Sequence, residues 1–302
     1  MLTSGRRTKI KPMTIAVRQL HTLEDLQAAV ALQQAVLGER SHPIWQLPHL
    51  LHIQQSGGFL LGARETAPKA SDTFHGILID LIAEVDGYPA RRTVAWGVDP
   101  QLRNRGIGLR LREIERRSLK ELGVDLVYWD VDPLSSVELH VVLNKLGGIV
   151  TACSSNTLGS SNDSNTPGLV TDRVRVEWWI DSPRVTGRME HGLPLVHQQI
   201  RLHEMDVLTK TTLLPTGVRG LIDCEQRATA DHVLAEIPEN LADLQERDYE
   251  AAIQWRLRSR NLMEQLFQLG YLGIGLIHEG GRSFLLFKKG TRRTELRAAD
   301  KR

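Results

Sequence analysis

The stretch QLRNRGIGLR, residues 101–110, constrains this chain more than any other. An alternating apolar run, RRTVAWGVD, leads into it, and leucine-rich sequence follows. A strand, a proline, two glycines and a helix in that order aim the free amides of a helix start at an anion. Gly106 and Gly108 have no Cβ, so a phosphate can come close to the backbone. Arg103 and Arg105 can add charge-assisted contacts. Two common nucleotide loops are excluded on residues. A P-loop ends in Gly-Lys-Ser/Thr, whereas Leu109 and Arg110 follow Gly108 here. A dinucleotide fingerprint needs a third glycine where Leu111 stands. A pyrophosphate nest at the helix N-terminus is what remains.

Around this loop, strands and helices alternate. MTIAVRQL reads as a strand, and residues 22–38 as a helix with Thr22 as its cap and Gly38 as its end. A second short helix covers IWQLPHLLHIQQSGG, and strands follow at GFLLGAR and FHGILIDLIAEVDG. The helix after the glycine loop shows Ile107, Leu111, Ile114 and Leu122 on one face, with Arg110, Arg112, Arg116 and Arg117 assigned to the others. VDLVYWDVD is a central strand, PLSSVELHVVLNKLGG a helix, and IVTACS and DRVRVEWWI a pair of strands around a polar loop. Beyond DSPRV the pattern weakens. HVLAEIP reads as a strand, 249–269 as a helix, and YLGIGLIHEGGRSFLLFKKG as a hairpin turning at Gly280 and Gly281. Strand, helix and two strands thus occur at 124–180 and again at 234–288. A shrunken copy of half the first unit and a generic unit of that kind both fit this echo.

The segment VDPQLRNRGIGLRL resembles the acetyl-CoA-binding motif of the GNAT N-acetyltransferase superfamily, with Arg103, Gly106 and Gly108 on its defining positions. VYWDVDPLSS, NKLGG and DRVRVEWWIDSPRV look like a long subfamily of such enzymes with an added C-terminal region. The resemblance implies an α/β fold: a mixed, mostly antiparallel sheet with splayed central parallel strands flanked by helices, and a smaller C-terminal α/β region. It divides the chain into a leader at 1–12, an acyl-CoA-binding domain at 13–183 and a C-terminal region at 184–302. The implied cosubstrate is acetyl-CoA or another acyl-CoA. Its pyrophosphate would rest on Arg103, Asn104, Arg105, Gly106, Ile107 and Gly108, and its pantetheine arm would pair with backbone near Trp96 and Val98. The acyl carbonyl would lie in the splay, where an amine of a small molecule attacks it directly.

Direct transfer needs positioning, a base for the ammonium proton and an acid for the thiolate. The family's usual acid, a tyrosine, is replaced by Leu143, and the asparagine that often begins that helix by Ser136. Substitutes are Asp130 and Asp132, which end a strand at the mouth of the splay; two carboxylates so close repel, which raises one pKa toward that of a useful base. Asp132 also suits a local cap before Pro133. Glu177 is a third candidate, or a solvent-facing strand residue. Asp80 and Glu84 share a strand face and reach either the cleft or a solvated edge. Trp129, Trp178 and Trp179 line a pocket or fill core. His75 and His140 read as surface residues, and Cys153 has no histidine partner in view.

Net charge, +2 from 38 basic and 36 acidic residues, gives no pull toward nucleic acid as a partner. No apolar run is long enough for a membrane helix. Two cysteines, Cys153 and Cys224, make neither a disulfide framework nor a zinc site, so no metal is expected and a reducing cytoplasm is. Arg256, Arg258 and Arg260 do not share a helix face, which argues against an anion patch there. The C-terminal region either shapes acceptor choice or serves as a homodimer or partner module. Three functions remain: an acyltransferase, an acyl-CoA binder that has lost its acid and base, and an interaction scaffold.

Overall fold

The computed structural model describes residues 14–37, 44–66, 73–157, 159, 168–192, 202–225 and 227–292. The expected leader, the last ten residues, Gly38 and most of the polar loop at 155–171 lie outside them.

The first strands form a meander: β1 (Ile15–Gln19), β2 (Phe59–Glu65), β3 (Phe74–Val85) and β4 (Tyr88–Val98), each antiparallel to the next. Alternation splits their apolar residues between two faces. Leu60, Ile77, Ile79 and Ala95 meet α1 (Leu23–Leu37) and α2 (Leu47–Gln55). Leu61, Ala63 and Leu78 meet α3 (Ile107–Glu121). Next come β5 (Leu126–Val131), α4 (Ser136–Leu139) running on as π-helical turns His140–Lys145, β6 (Ile149–Ser154) and β7 (Arg173–Trp179). The second half contributes α5 (Pro183–His191), β8 (Asp206–Val207), β9 (Thr209–Leu213), β10 (Arg219–Cys224), β11 (His232–Ile237), α6 (Leu241–Arg247), α7 (Tyr249–Gln268), β12 (Tyr271–Glu279) and β13 (Arg282–Lys289).

Eleven of these strands make one sheet, in the order β1-β2-β3-β4-β5-β7-β6-β12-β13-β11-β8; β9 and β10 form a separate ribbon. The architecture is mixed α/β and mostly antiparallel, with parallel contacts at β4·β5 and β8·β11. The run β5-β7-β6 is answered in reverse by β12-β13-β11 across an antiparallel β6·β12 contact. The echo in the sequence is therefore an echo in topology, down to a parallel neighbour for β5 and for β11. The hairpin β12–β13 turns at Gly280 and Gly281, with φ of 60° and 70°, the doubly left-handed turn that matches strand twist.

Two expectations about helices need correction. Along α3 the buried row is Ile107, Leu111, Glu115 and Leu119, with Arg112 and Arg116 beside it, while Leu122 is 62% exposed. Arg112 is interior because Glu115, one turn on, accepts from it at 2.8 and 3.0 Å, and because indole rings enclose it. Arg256 on α7 is likewise buried, through Asp132.

At the start of α1, Thr22 accepts from the Asp25 amide, and the Asp25 carboxylate takes the amides of His21 and Thr22. Arg18 grips the same carboxylate at 2.5 and 2.6 Å and, with those amides, holds it well below the usual carboxylate range. Asp25→Asn should lower stability at pH 7 by about 2 kcal/mol, as expected for hydrogen bonds to a charged group. The folded-state pKa lies below the unfolded one, so the stabilisation is present above the ordinary carboxylate pKa and fades as pH falls toward the folded value. Urea denaturation of both proteins at pH 7 and at acid pH checks this: the gap between them should close in acid.

Candidate active site

The β4–β5 pair sets the site. Its parallel pairing runs only from Ala90↔Leu126 to Arg92↔Tyr128, and the two strands then part. One residue further along β4, at Thr93, the ladder to β3 also breaks register: Asp80 pairs with Thr93 but Ile79 with Ala95, so Val94 is bulged out. From Thr93 to Val98 one edge of β4 thus has no strand beside it among the described residues, and a V opens toward the glycine loop.

At that loop, Asp99 accepts from the Gln101 amide and starts a short 3-10 turn, Pro100–Leu102. Asn104 (φ 62°) and Gly106 (φ 80°) are both left-handed, turning successive amides to one side. The first amides of α3, like those of any helix, have no intrahelical acceptor, and no side chain among the described residues caps them. Arg103 reaches the carbonyls of Val98 and Val36 at 3.4 Å.

The V and the loop open into one cavity of about 1560 Å³. Of the expected cofactor residues, Trp96, Val98, Arg103, Asn104, Gly106, Ile107 and Gly108 line it, while Arg105 is exposed outside the lining. The opposite wall comes from the C-terminal half, including Arg219, Glu236, Arg256 and Arg282. Glu236 is 2% exposed and holds Arg282 at 2.5 and 3.0 Å and the Thr211 hydroxyl at 2.7 Å.

The candidate carboxylates fare differently from one another. Asp130 and Asp132 both line the cavity, but each faces a guanidinium rather than the other carboxylate. Arg92 is 3.3 Å from Asp130. Arg256 binds Asp132 through both oxygens at 2.7 Å, and Asp132 also accepts from the Leu134 amide at 2.8 Å. The helix cap expected of Asp132 is made instead by Ser135, which accepts from the Glu138 amide. Mutual repulsion is therefore not what governs this pair. Glu177 is neither solvent-facing nor in the cavity lining: it is 1% exposed and takes Thr151, Trp179 and Arg292. Alternation along β5 puts Tyr128 and Asp130 opposite Trp129. Trp178 is a core residue, Trp129 is buried but also lines the cavity, and Trp179 is half-buried. Burial pushes the Cys153 thiol up to about 12, so it carries no thiolate near neutral pH. Leu143 is wholly buried.

Sequence reasoning missed a buried polar cluster beneath the V. Asp80 is wholly buried, not at a solvated edge, whereas Glu84 is exposed. Asp80 and its register partner Thr93 share the sheet face that α3 covers, where Glu115 and Arg112 descend on them. The Arg112 guanidinium lies 4.3 Å from the Trp96 ring and 4.1 Å from the Trp129 ring. The signal was present: Glu115 interrupts an apolar i, i+4 row, where an acid is buried only with a partner.

No protein-family model matches this sequence, and no curated protein does. Several solved structures do match over part of it. The ribosomal-protein-S18-alanine N-acetyltransferase from Escherichia coli is 17% identical, over 55% of this chain and 94% of its own, with a TM-score of 0.43. A putative acetyltransferase of the GNAT family from Desulfovibrio desulfuricans is 13% identical, over 55% and 99%, with a TM-score of 0.43. A putative acetyltransferase from Salmonella typhimurium, solved with its cofactor acetyl-CoA, is 15% identical, over 60% and 98%, with a TM-score of 0.42. Splayed parallel strands, a glycine loop at their mouth and a helix running from it are the features the sequence resemblance implied, and all three are present.

Proposed function

We propose that this chain is an acyl-CoA-dependent acyltransferase that moves an acetyl group from acetyl-CoA to the amine of a small molecule. One observation carries the reading: β4 and β5 separate at Thr93, and the V they leave opens onto the uncapped, left-handed nest before α3. The nest suits a pyrophosphate. The open β4 edge from Thr93 to Val98 offers backbone partners to the two amides of a pantetheine arm. The acyl carbonyl then reaches the apex, where a backbone N–H of the bulge polarises it. The amine attacks the acyl carbon, and CoA leaves as thiolate. The cavity has room for both substrates, and its far wall, from the C-terminal half, faces the acceptor.

A second reading, a binder without turnover, draws on one observation as well. The tyrosine position holds a buried leucine, and Asp132 in the cavity lining is engaged by Arg256. One experiment separates the two. Acetyl-CoA binding is measured by calorimetry, and thiol release is then followed against a panel of amines. Binding with amine-dependent thiol release is expected. Binding alone selects the second reading, and no binding at millimolar acetyl-CoA sinks both.

A further inference from the structure

We propose that the acceptor is an amine carrying an anionic group, a carboxylate or a phosphate, and that Arg219 and Arg282 hold that group on the far wall of the cavity. The proposal rests on the acyltransferase reading and names the class of its second substrate.

The second half repeats the parallel pair of the first and then fills the opening with side chains. β8 pairs with β11 at Asp206↔Val233 and Val207↔Leu234, and the chain then leaves along β9. The Thr209 hydroxyl takes the Glu236 amide at 2.8 Å. The buried Glu236 carboxylate binds Thr211 from β9 and both Nε and Nη2 of Arg282 from β13. Arg219 from β10 stands 3.6 Å from the same carboxylate and donates to the Thr211 hydroxyl at 3.2 Å. The space that β4 and β5 leave open is occupied here by a polar cluster drawn from four strands.

Charge decides what the cluster attracts. Glu236 brings one negative charge and meets two guanidiniums, so one positive charge is left over. Both arginines line the cavity, with side chains 40% and 37% exposed, against 2% for Glu236. The carboxylate is inside and the cations lie between it and the open space. Arg219 Nη2 and Arg282 Nη1 have no hydrogen-bond partner among the described residues. Two guanidinium forks with donors to spare suit a carboxylate or a phosphate. The other charges of this wall are matched or solvated. Asp132 holds Arg256, Asp243 lies 3.5 Å from Arg247, and Glu239 is 60% exposed beside His278.

The reach fits a small molecule. The Trp255 indole holds the Arg219 carbonyl at 2.8 Å, and the next residue of α7, Arg256, holds Asp132 just past β5. Two consecutive residues thus join Arg219 to the mouth of the V. Leu213, the ladder partner of Arg219, is 68% exposed and lines the same cavity. An apolar side chain left open beside a cation fits an anionic group on a short apolar body. The nest before α3 lies on the opposite wall, so the pyrophosphate of the cofactor does not call on these arginines.

Calorimetry on the protein saturated with CoA tests the seat without turnover. The probes are ω-amino carboxylates of increasing length, aminoalkyl phosphates, and alkylamines of matching length. One anionic series should bind about tenfold tighter than the alkylamines, the scale of a charge-assisted bond. Equal affinity overturns the proposal, and the ranking of the two anionic series tells carboxylate from phosphate. Arg219→Gln leaves Arg282 on Glu236 and should close most of the gap; an unchanged gap overturns the proposal. Glu236→Gln keeps the shape and withdraws the negative charge, so anion affinity should rise. A fall equal to that of Arg219→Gln would make the cluster merely structural and overturns the seat. Should Glu236→Gln fail to fold, Arg219→Gln decides alone. If CoA does not bind, the same titrations on the free protein decide. Thiol release from acetyl-CoA is then followed with the same amines. Anionic amines that bind but release no thiol end the acyltransferase reading and leave the seat standing. Alkylamines acetylated as efficiently as the anionic ones end the seat and leave that reading standing.

Discussion

Replacing Asn144 by leucine will lower the stability of the chain by about 3 kcal/mol, because it strips a buried backbone of both its partners. The amide of Asn144 donates to the Leu276 carbonyl at 2.7 Å and accepts from the Leu276 N–H at 2.9 Å. Asn144 is 3% exposed, so water does not replace either bond. The site matters because β6 and β12 pair directly only at Gly273↔Val150. Asn144, carried inward on the π-helical turns, continues the joint between the halves where the ladder stops. Arg184 does similar work, linking the carbonyls of Gly147 and Ile274. Leucine keeps the volume, so the loss reads out hydrogen bonding rather than a cavity. Urea denaturation measures the total. Amide exchange should show β12 opening before β2 and β3, and unchanged protection at Leu276 would contradict the assignment.

That joint marks where the sequence stopped being legible. The strands of the first half were readable because each alternates or carries an apolar run between turn signals. α5 and β8–β10 were not: β8 is two residues long, and TKTTL on β9 is mostly polar. β10 packs on α7, through contacts such as the Trp255 indole donating to the Arg219 carbonyl, a placement no local pattern shows. Charge assignments failed for a related reason. Arg112, Arg256 and Glu115 look like surface residues by type, and each is interior because a partner distant in sequence or one turn away neutralises it. Periodicity shows which row faces inward but not that an acid in that row has found a guanidinium. The glycine loop was legible because its chemistry is local: left-handed turns and free amides are fixed within a few residues.

Gly106→Val puts that local reading to its hardest test, with an expected loss of acetyl-CoA affinity of about 100-fold or more, equivalent to about 2.7 kcal/mol. Gly106 has φ of 80°, and a Cβ built there meets nothing within 4 Å. Added bulk therefore disturbs no neighbour; it takes up open space at the cavity lining, where the proposed pyrophosphate would rest. The remaining penalty is conformational, about 1–2 kcal/mol for a left-handed β-branched residue. Such a penalty lowers the unfolding free energy modestly and leaves the fold in place, which circular dichroism and the denaturation midpoint will report. Arg103→Ala supplies the graded comparison. It removes a side chain but no amide, so affinity should fall less and should become less sensitive to salt. A scaffold working through the C-terminal half predicts the opposite pattern, with partner binding untouched by Gly106→Val. Undiminished acetyl-CoA affinity in a folded Gly106→Val protein would mean that the pyrophosphate does not rest on this loop.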